Sequence, residues 1–274
     1  MTGCARCLVA LAFGLLAWPV VAGPRVVSIN LCADQLLLSL ADPEQILGLS
    51  PFARDASRSW AARQAEAFPS LSGTAEDVLR LKPDLVLAGL FSRQATREFL
   101  RGHGVRVVDL AVVNTIEEAR QQLLDVGALL GHAERAEAAV AVIDAAIRRA
   151  KARVGPTPLR VLPLARRGWV FGDETLIGSL LGAAGLRSGA GEFGPGSAHQ
   201  VRLEAVVAAR PDMLLTFGSE RADDQGSALL QHPALAGQYP AERRVHLPER
   251  LATCGGPMLG EAIDRLVEAK EPRP

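Results

Sequence analysis

The sequence predicts an α/β protein made of two parallel-sheet lobes that are joined by a single long helix, with a ligand cleft between the lobes. Three observations lead to this prediction. Short β-rich runs alternate with helical runs along most of the chain, a rhythm typical of parallel sheets covered by helices. The middle of the chain is one long helix-favouring stretch, and a helix-strand motif that precedes it recurs after it.

Composition excludes several classes of protein. The 274 residues include 30 Lys and Arg against 30 Asp and Glu, 49% are hydrophobic, and 22% are charged. A general nucleic-acid binder would show a basic excess, and a disordered chain would lack the apolar residues. The length suits one or two domains with ample core. The balance favours a small molecule or a protein as the partner.

The first 22 residues have the features of a secretory signal peptide. An apolar run over residues 7–17 follows Arg6 and ends in a small-residue site at Ala22, so cleavage would leave Gly23 as the first residue. An uncleaved membrane anchor is the alternative. The run is shorter than the roughly 20 residues that span a bilayer, and Pro19 interrupts it. The chain is therefore expected to be exported.

The elements of the first lobe, residues 23–114, follow from β-rich runs that alternate with amphipathic ones. Strands are expected over residues 25–30, 45–49, 84–88 and 105–110, and helices over residues 34–40 and 92–102.

The linking segment covers residues 115–155. It contains no Pro and is rich in Ala, Leu, Glu and Arg, which indicates one long helix or two consecutive ones. The second lobe, residues 156–274, resumes the alternation. Its strands are expected over residues 159–164, 212–217 and 243–247, and its helices over residues 174–184, 203–209, 226–231 and 258–269.

The two lobes carry the same motif. The segment from Glu76 to Leu87 aligns without a gap with the segment from Glu204 to Leu215. Each copy is a short helix opened by Glu, then a basic residue, Pro-Asp as a helix stop, and a buried strand. Two such copies on either side of a helical linker predict two similar lobes with a ligand cleft between them.

These segments resemble the periplasmic substrate-binding proteins of ABC importers for metal chelates (cobalamin, ferric siderophores and haem), the cobalamin-binding members in particular. The residues that carry the resemblance are segment 25–30 with the following Asp-Gln-Leu-Leu of residues 34–37, both copies of the motif, the helical linker, and Cys-Gly-Gly-Pro at residues 254–257. The resemblance implies a periplasmic monomer that is not an enzyme. It would carry no covalently bound cofactor or metal of its own, and its ligand would be a cobalt- or iron-containing chelate.

The resemblance also implies a partner, the ABC permease dimer of the inner membrane. Glu76 and Glu204 match the family's carboxylates that engage basic residues of the permease. Two carboxylates at corresponding positions of two lobes suit such docking. The alternative is that each Glu only begins a helix, where the helix dipole favours a negative charge.

Candidate ligand contacts are aromatic residues and arginines near the expected strand ends. Phe52 matches an aromatic position of the family's cleft, Trp169 matches a second-lobe segment that presents an aromatic, and Trp60 lies in a polar loop. Ordinary packing is the alternative for each tryptophan.

Further candidates are Arg166 and Arg167 after the first strand of the second lobe, Arg250 after its last strand, and His199 in a loop at the cleft rim. Guanidinium groups there would bind carboxylates, phosphates or a catecholate. Cobalamin-binding members carry a tryptophan near the position of His199, which makes cobalamin the less certain ligand. His199 itself is either a metal ligand or a solvated loop residue.

Two cysteines remain after signal cleavage, Cys32 and Cys254. In an oxidising periplasm two lone cysteines usually pair, and this disulfide would tie the two lobes together. Two free thiols, or thiolate ligands to a soft metal or to haem, are the alternatives.

Other functions rank lower. The chain has no Gly-x-Ser-x-Gly, His-Glu-x-x-His or P-loop motif, so an exported α/β enzyme is the weaker alternative. A binding protein for haem or for a bare metal ion is closer, although the five histidines form no cluster by spacing.

Overall fold

The structure is a computed structural model that describes residues 23–153, 155, 157–218, 226 and 228–268. The predicted signal peptide, residues 1–22, lies outside the described residues. The strands are β1 Val26–Ser28, β2 Ile46–Gly48, β3 Leu85–Gly89, β4 Val107–Leu110, β5 Arg160–Pro163, β6 Trp169–Phe171, β7 Arg187–Ser188, β8 Ala198–Gln200, β9 Met213–Phe217 and β10 Arg244–Leu247. The helices are α1 Leu31–Leu40, α2 Ala62–Ala65, α3 Ala75–Arg80, α4 Gln94–Gly102, α5 Ile116–Leu130, α6 Ala133–Ala152, α7 Leu176–Ala183, α8 Leu203–Ala209, α9 Pro233–Gln238 and α10 Met258–Glu268.

Two parallel four-stranded sheets form the two lobes, as predicted. The first has the order β2-β1-β3-β4 and the second the order β7-β5-β9-β10, so both lobes share one topology. Strand β1 runs beside β3 in the register Val26 to Leu85, and β5 runs beside β9 in the register Val161 to Met213. All paired strands within the two sheets are parallel, an arrangement that requires crossover connections such as the helices between successive strands. The fold class is therefore confirmed.

The internal repeat extends to individual hydrogen bonds. In the first lobe the Asp84 carboxylate accepts the backbone N–H of Arg25 at 2.8 Å, and in the second lobe the Asp212 carboxylate accepts the backbone N–H of Arg160 at 2.7 Å. These are the Asp residues of the two Pro-Asp motifs. The basic residue before each Pro adopts a left-handed backbone, with φ of 46° at Lys82 and 47° at Arg210. The two copies thus start their strands in the same way.

The inward faces of both sheets share one apolar core. Val26 and Val161 point into this shared core, whereas their neighbours Val27 and Leu162 point into separate outer clusters of the first and second lobe. This alternation is the two-residue period of a strand. Residues of α1, α5, α6, α7 and α10 fill the shared core. The lobes therefore meet over continuous apolar packing.

The linking segment is two helices, not the single long helix that the fold prediction includes. Helix α5 ends at Gly131, whose φ of 82° is the left-handed conformation of a helix stop. Helix α6 then packs antiparallel to α5, because Gly127 lies against Ala136 and the Arg120 guanidinium pairs with Asp144. The alternative of two consecutive helices is correct. Among the described residues, no helix combines the length and hydropathy needed to cross a membrane.

The second lobe departs from the prediction in two places. Residues 228–231, expected to be helical, form a turn, and α9 begins at Pro233, which suits the first turn of a helix. An antiparallel ribbon of β6 and β8 was not predicted, nor was the two-residue strand β7. Strands of two or three residues are too short to show a period-two pattern.

Candidate functional site

The carboxyl ends of the two sheets face each other, and we call this region the lobe junction. A disulfide crosses it. Cys32, in the first turn of α1 after β1, is bonded to Cys254, seven residues after β10, with Cα atoms 5.2 Å apart. The Asn30 side chain caps α1 by accepting the N–H of Cys32 at 2.9 Å, which fixes the start of this turn. The predicted pairing of the two cysteines is confirmed.

An apolar cavity of about 630 Å³ lies at the junction, and we call it the Trp169 cavity. Trp169 is 44% exposed, and the rings of Phe171 and Phe217 meet edge to face at 5.3 Å beside it. Arg166 adds a guanidinium and Glu249 a carboxylate to the lining. The structure thus brings Arg166 and Trp169 together, as the sequence predicts. Phe217, at the carboxyl end of β9, was not predicted.

A smaller cavity of about 210 Å³ lies on the first-lobe side of the junction, and we call it the Phe91 pocket. Phe91 follows β3 and is 87% exposed; Leu90 and Val112 beside it are about half exposed. Thr253 lines both this pocket and the Trp169 cavity, so the two cavities are neighbours. Phe91 is not among the predicted site residues, although it follows a strand, as Phe52 does.

Trp60 and Arg250 come together, but in a different cavity. This space of about 870 Å³ is lined mainly by residues 56–66 and by Arg250 of the second lobe. The Trp60 indole N–H donates a hydrogen bond to Glu261 Oε2 on α10 at 3.1 Å. Trp60 therefore contacts the second lobe directly, and its ring is 38% exposed.

Phe52 stands apart from these cavities. It follows β2 at the carboxyl edge, as predicted, and is 45% exposed. The Arg58 guanidinium lies 5.0 Å from the centre of its ring, within the range of a cation–π contact.

The two faces of the ribbon of β6 and β8 carry different candidate residues. Trp169 and Phe171 lie on the face that lines the Trp169 cavity, whereas His199 sits opposite Val170 and so shares the other face. His199 Nε2 is buried without a hydrogen bond, and its ring lies beside Gly194. Arg167 is exposed and has a left-handed backbone with φ of 57°. Neither Arg167 nor His199 lines the Trp169 cavity or the Phe91 pocket.

One carboxyl is buried beneath the first-lobe edge of the junction. Asp34 on α1 is 0% exposed and accepts the backbone N–H of Ser50 at 2.9 Å. Burial raises the pKa of the Asp34 carboxyl to about 6, against the lowering effect of hydrogen bonds from Ser28 and Ser50. This group titrates between neutral and mildly acidic pH, which an exposed aspartate does not.

Glu76 and Glu204 occupy equivalent places in the two lobes. Each is exposed and lies in the first turn of its helix, α3 or α8, which leads into the strand β3 or β9. A helix that precedes a parallel strand begins near the carboxyl edge of the sheet. Both carboxylates are therefore on the side of the molecule where the lobes meet. Across the described part of the chain, no three His, Cys, Asp or Glu side chains gather into a group that could hold a metal ion.

Comparison with known proteins identifies the family. A family model described as periplasmic binding protein matches residues 26–247. The cobalamin-binding protein of Halobacterium salinarum is 28% identical over 211 residues, which are 75% of this chain and 57% of the relative; the chain thus spans little more than half the length of the curated relatives that it matches. The periplasmic heme-binding protein RhuT from Roseiflexus sp. RS-1, in its apo form, has a TM-score of 0.72 at 25% identity and covers 91% of this chain and 100% of its own. The heme-binding protein BhuT in complex with two hemes has a TM-score of 0.70 at 25% identity over 90% of this chain and 99% of its own. The chain belongs to the periplasmic binding protein family, whose members are binding proteins rather than enzymes.

Proposed function

We propose that this chain is the periplasmic binding component of an ABC import system and that it binds a metal chelate built on a flat, largely apolar macrocycle. Haem is such a ring, and cobalamin contains a related tetrapyrrole-type ring that is more puckered and carries amide side chains. The observation that carries the proposal is the aromatic lining of the junction, with Trp169, Phe171 and Phe217 on the second-lobe side and Phe91 on the first-lobe side.

The exposed aromatic residues favour a macrocycle over a small hydrophilic siderophore. Phe91 is 87% and Trp169 is 44% exposed, and covering these rings with an apolar plane removes their surface from water, which stabilises the complex by roughly 25 cal/mol per Å². Arg166 at the rim offers a guanidinium to a carboxylate or a phosphate. Haem carries carboxylates and cobalamin carries a phosphate. The names of the similar proteins, cobalamin-binding and heme-binding, agree with this class.

A thermal-shift titration with cobalamin, haem and two ferric siderophores tests the class of ligand. A ligand that binds only the folded chain raises the melting temperature, and at a concentration of 100 Kd it adds about 2.7 kcal/mol of stability. We expect a shift with at least one of the two tetrapyrrole-type chelates and none with the siderophores. A shift with siderophores alone would overturn the proposal.

Two single substitutions locate the ligand. Trp169→Ala and Phe91→Ala should each weaken binding about tenfold or more, since central aromatic residues carry over 1 kcal/mol each at binding sites. Phe99→Ala is the matched control, because Phe99 is half exposed on α4 and lines neither cavity. Equal affinities for all three variants would place the ligand elsewhere.

Delivery to the permease is the second part of the proposal. The equivalent positions of Glu76 and Glu204, both exposed at the ends of corresponding helices, support their role in docking on basic residues of a permease dimer. Reversing both charges to Lys should abolish uptake in cells while ligand affinity stays unchanged. Uptake that survives the double reversal would exclude this role.

Export and processing complete the proposed function. The signal peptide over residues 1–22 would be cleaved so that a monomer beginning at Gly23 acts in the periplasm. N-terminal sequencing of the exported protein and its elution volume in gel filtration test both statements, and a retained Met1 would refute the cleavage.

A further inference from the structure

Two adjacent buried side chains of α1 hold the two ends of one surface loop. Ser50 donates its backbone N–H to Asp34 Oδ1 at 2.9 Å and its hydroxyl to Asp34 Oδ2. At the other end, Trp60 donates its backbone N–H to Gln35 Oε1 at 3.1 Å. Asp34 is 0% and Gln35 is 1% exposed. Residues 50–60, which we call the 50–60 loop, are thus fastened to one turn of one helix.

The 50–60 loop carries both aromatic candidates of the first lobe. The backbone N–H of Phe52 donates to Ser50 Oγ at 3.2 Å, so Phe52 is linked to Asp34 through one hydroxyl. The Trp60 indole reaches across the lobe junction to Glu261. The loop therefore connects α1 of the first lobe with α10 of the second, and its residues Ala56, Ser59 and Trp60 line part of the cavity that Trp60 and Arg250 share.

We propose that Asp34 and Gln35 are positioning residues that fix the 50–60 loop, holding Phe52 at the carboxyl edge of the first sheet and Trp60 against Glu261 at the lobe junction, and that ligand affinity depends on this pair. The effect on affinity rests on the proposed function, because it requires the ligand to bind at the junction. The effect on the loop itself does not.

The polar character of the pair argues for positioning rather than for packing. A buried carboxyl and a buried amide lower stability unless their hydrogen bonds are made, whereas apolar side chains of the same size would fill the space without that cost. Gln35 Oε1 accepts the backbone N–H of Trp60, whereas Gln35 Nε2 is buried without a hydrogen bond in the described structure. The polar side chains add direction, since each holds a backbone N–H of the loop at a fixed place relative to α1.

The fluorescence of Trp60 tests the loop without any ligand. In a chain with Trp18→Phe and Trp169→Phe, Trp60 is the one remaining tryptophan. Adding Gln35→Met keeps the volume but removes the acceptor of the Trp60 N–H, and we expect a red-shifted emission and an acrylamide quenching rate raised by about twofold or more as the loop opens locally. Ser39→Ala is the matched control: it removes a hydrogen bond of the same helix, from Ser39 Oγ to the Gln35 carbonyl, that does not reach the loop.

A second variant tests the other end. Ser50→Ala removes the hydroxyl that joins Asp34 to the Phe52 N–H, and it tests the same claim if Gln35→Met does not fold. In the chain with all its tryptophans, each variant should weaken binding of the tetrapyrrole-type ligand about tenfold, because the N–H of Trp60 or of Phe52 loses the acceptor that holds its residue in place.

The outcomes separate the two proposals. If emission and quenching of Trp60 in Gln35→Met, or in Ser50→Ala where the former does not fold, match those of the Ser39→Ala control, the positioning role is refuted whether or not a chelate binds. If the loop changes but affinity stays within about twofold, the dependence of binding on the pair is refuted. If the unaltered chain binds no chelate, the proposed function fails, and Trp60 fluorescence still decides whether Asp34 and Gln35 position the loop.

Discussion

Removing the disulfide between Cys32 and Cys254 should cost a large part of the stability of this chain. The bridge closes a loop of 222 residues. On the chain-entropy relation, such a loop restricts the unfolded chain by an entropy equivalent to about 5 kcal/mol at 25 °C. Its Cα separation of 5.2 Å lies in the ordinary range for disulfides, so no repositioning of the backbone offsets that gain. With a urea m-value of about 3 kcal/mol per molar, the unfolding midpoint should fall by about 1.5–2 M.

The assay compares urea unfolding of the oxidised chain, the reduced chain and Cys32→Ser/Cys254→Ser. Mapping of non-reduced peptides first verifies the bridge in the oxidised sample. The reduced chain and the double variant should share one lowered midpoint, and reductant should leave the double variant unchanged. A midpoint that falls by less than about 0.5 M after verified reduction would refute the reasoning, because it would show that residual structure already restrains the unfolded chain.

Two other predictions concern Asp34 and the turn before the ribbon. The pKa of the Asp34 carboxyl is about 6 in the folded chain against 3.8 for its ordinary value, so the folded chain binds the proton more tightly and the free energy of unfolding rises as the pH falls. Between pH 7 and pH 4.5 this group contributes about 2 kcal/mol, and urea midpoints at both pH values should show that Asp34→Asn lacks this gain; an equal pH dependence in both proteins would contradict the raised pKa. Gly168→Ala places a Cβ 2.3 Å from the Val201 carbonyl oxygen at a φ of 75°, which should lower stability by about 1–3 kcal/mol and weaken chelate binding through displacement of Trp169. Gly182→Ala is the matched control, because its Cβ meets nothing within 4 Å and alanine stabilises a helix; equal melting temperatures for the two variants would refute the argument.

The repeated motif explains how much of the fold could be predicted. The Pro-Asp that follows each short helix marks both a helix stop and the start of a buried strand, and the structure shows the same Asp-to-backbone hydrogen bond in both copies. The helix stop is a local feature, because Pro disfavours a helical conformation of the residue before it. The hydrogen bond is not local, because each Asp accepts the N–H of a residue 59 or 52 positions earlier in the chain. The alternation of strands and helices predicts parallel sheets, whereas the strand order β2-β1-β3-β4 and its equivalent in the second lobe are known only from the structure.

The candidate site could be predicted only in part, because cavities form between segments that are distant in sequence. The strand-end rule selected Phe52 and Arg166 and, applied to β3, would also have selected Phe91. It could not show that Trp60 would bond to Glu261, 201 positions away. Nor could it show that His199 would lie on the opposite face of a three-residue strand from the one that lines the Trp169 cavity, since that depends on its pairing with Val170.

Three contacts together limit how the lobes can move. The shared core includes residues from both sheets and from five helices, so separation of the lobes would expose apolar surface at roughly 25 cal/mol per Å². The disulfide adds a covalent limit at the floor of the junction, and the Trp60 indole adds a hydrogen bond on one side. The segments that line the junction but contribute little to the shared core are the ribbon of β6 and β8 and the 50–60 loop. Movement at the junction that leaves the lobes together is therefore expected in these two segments: β6 borders the Trp169 cavity, and the hydrogen bonds of Asp34 and Gln35 hold the 50–60 loop.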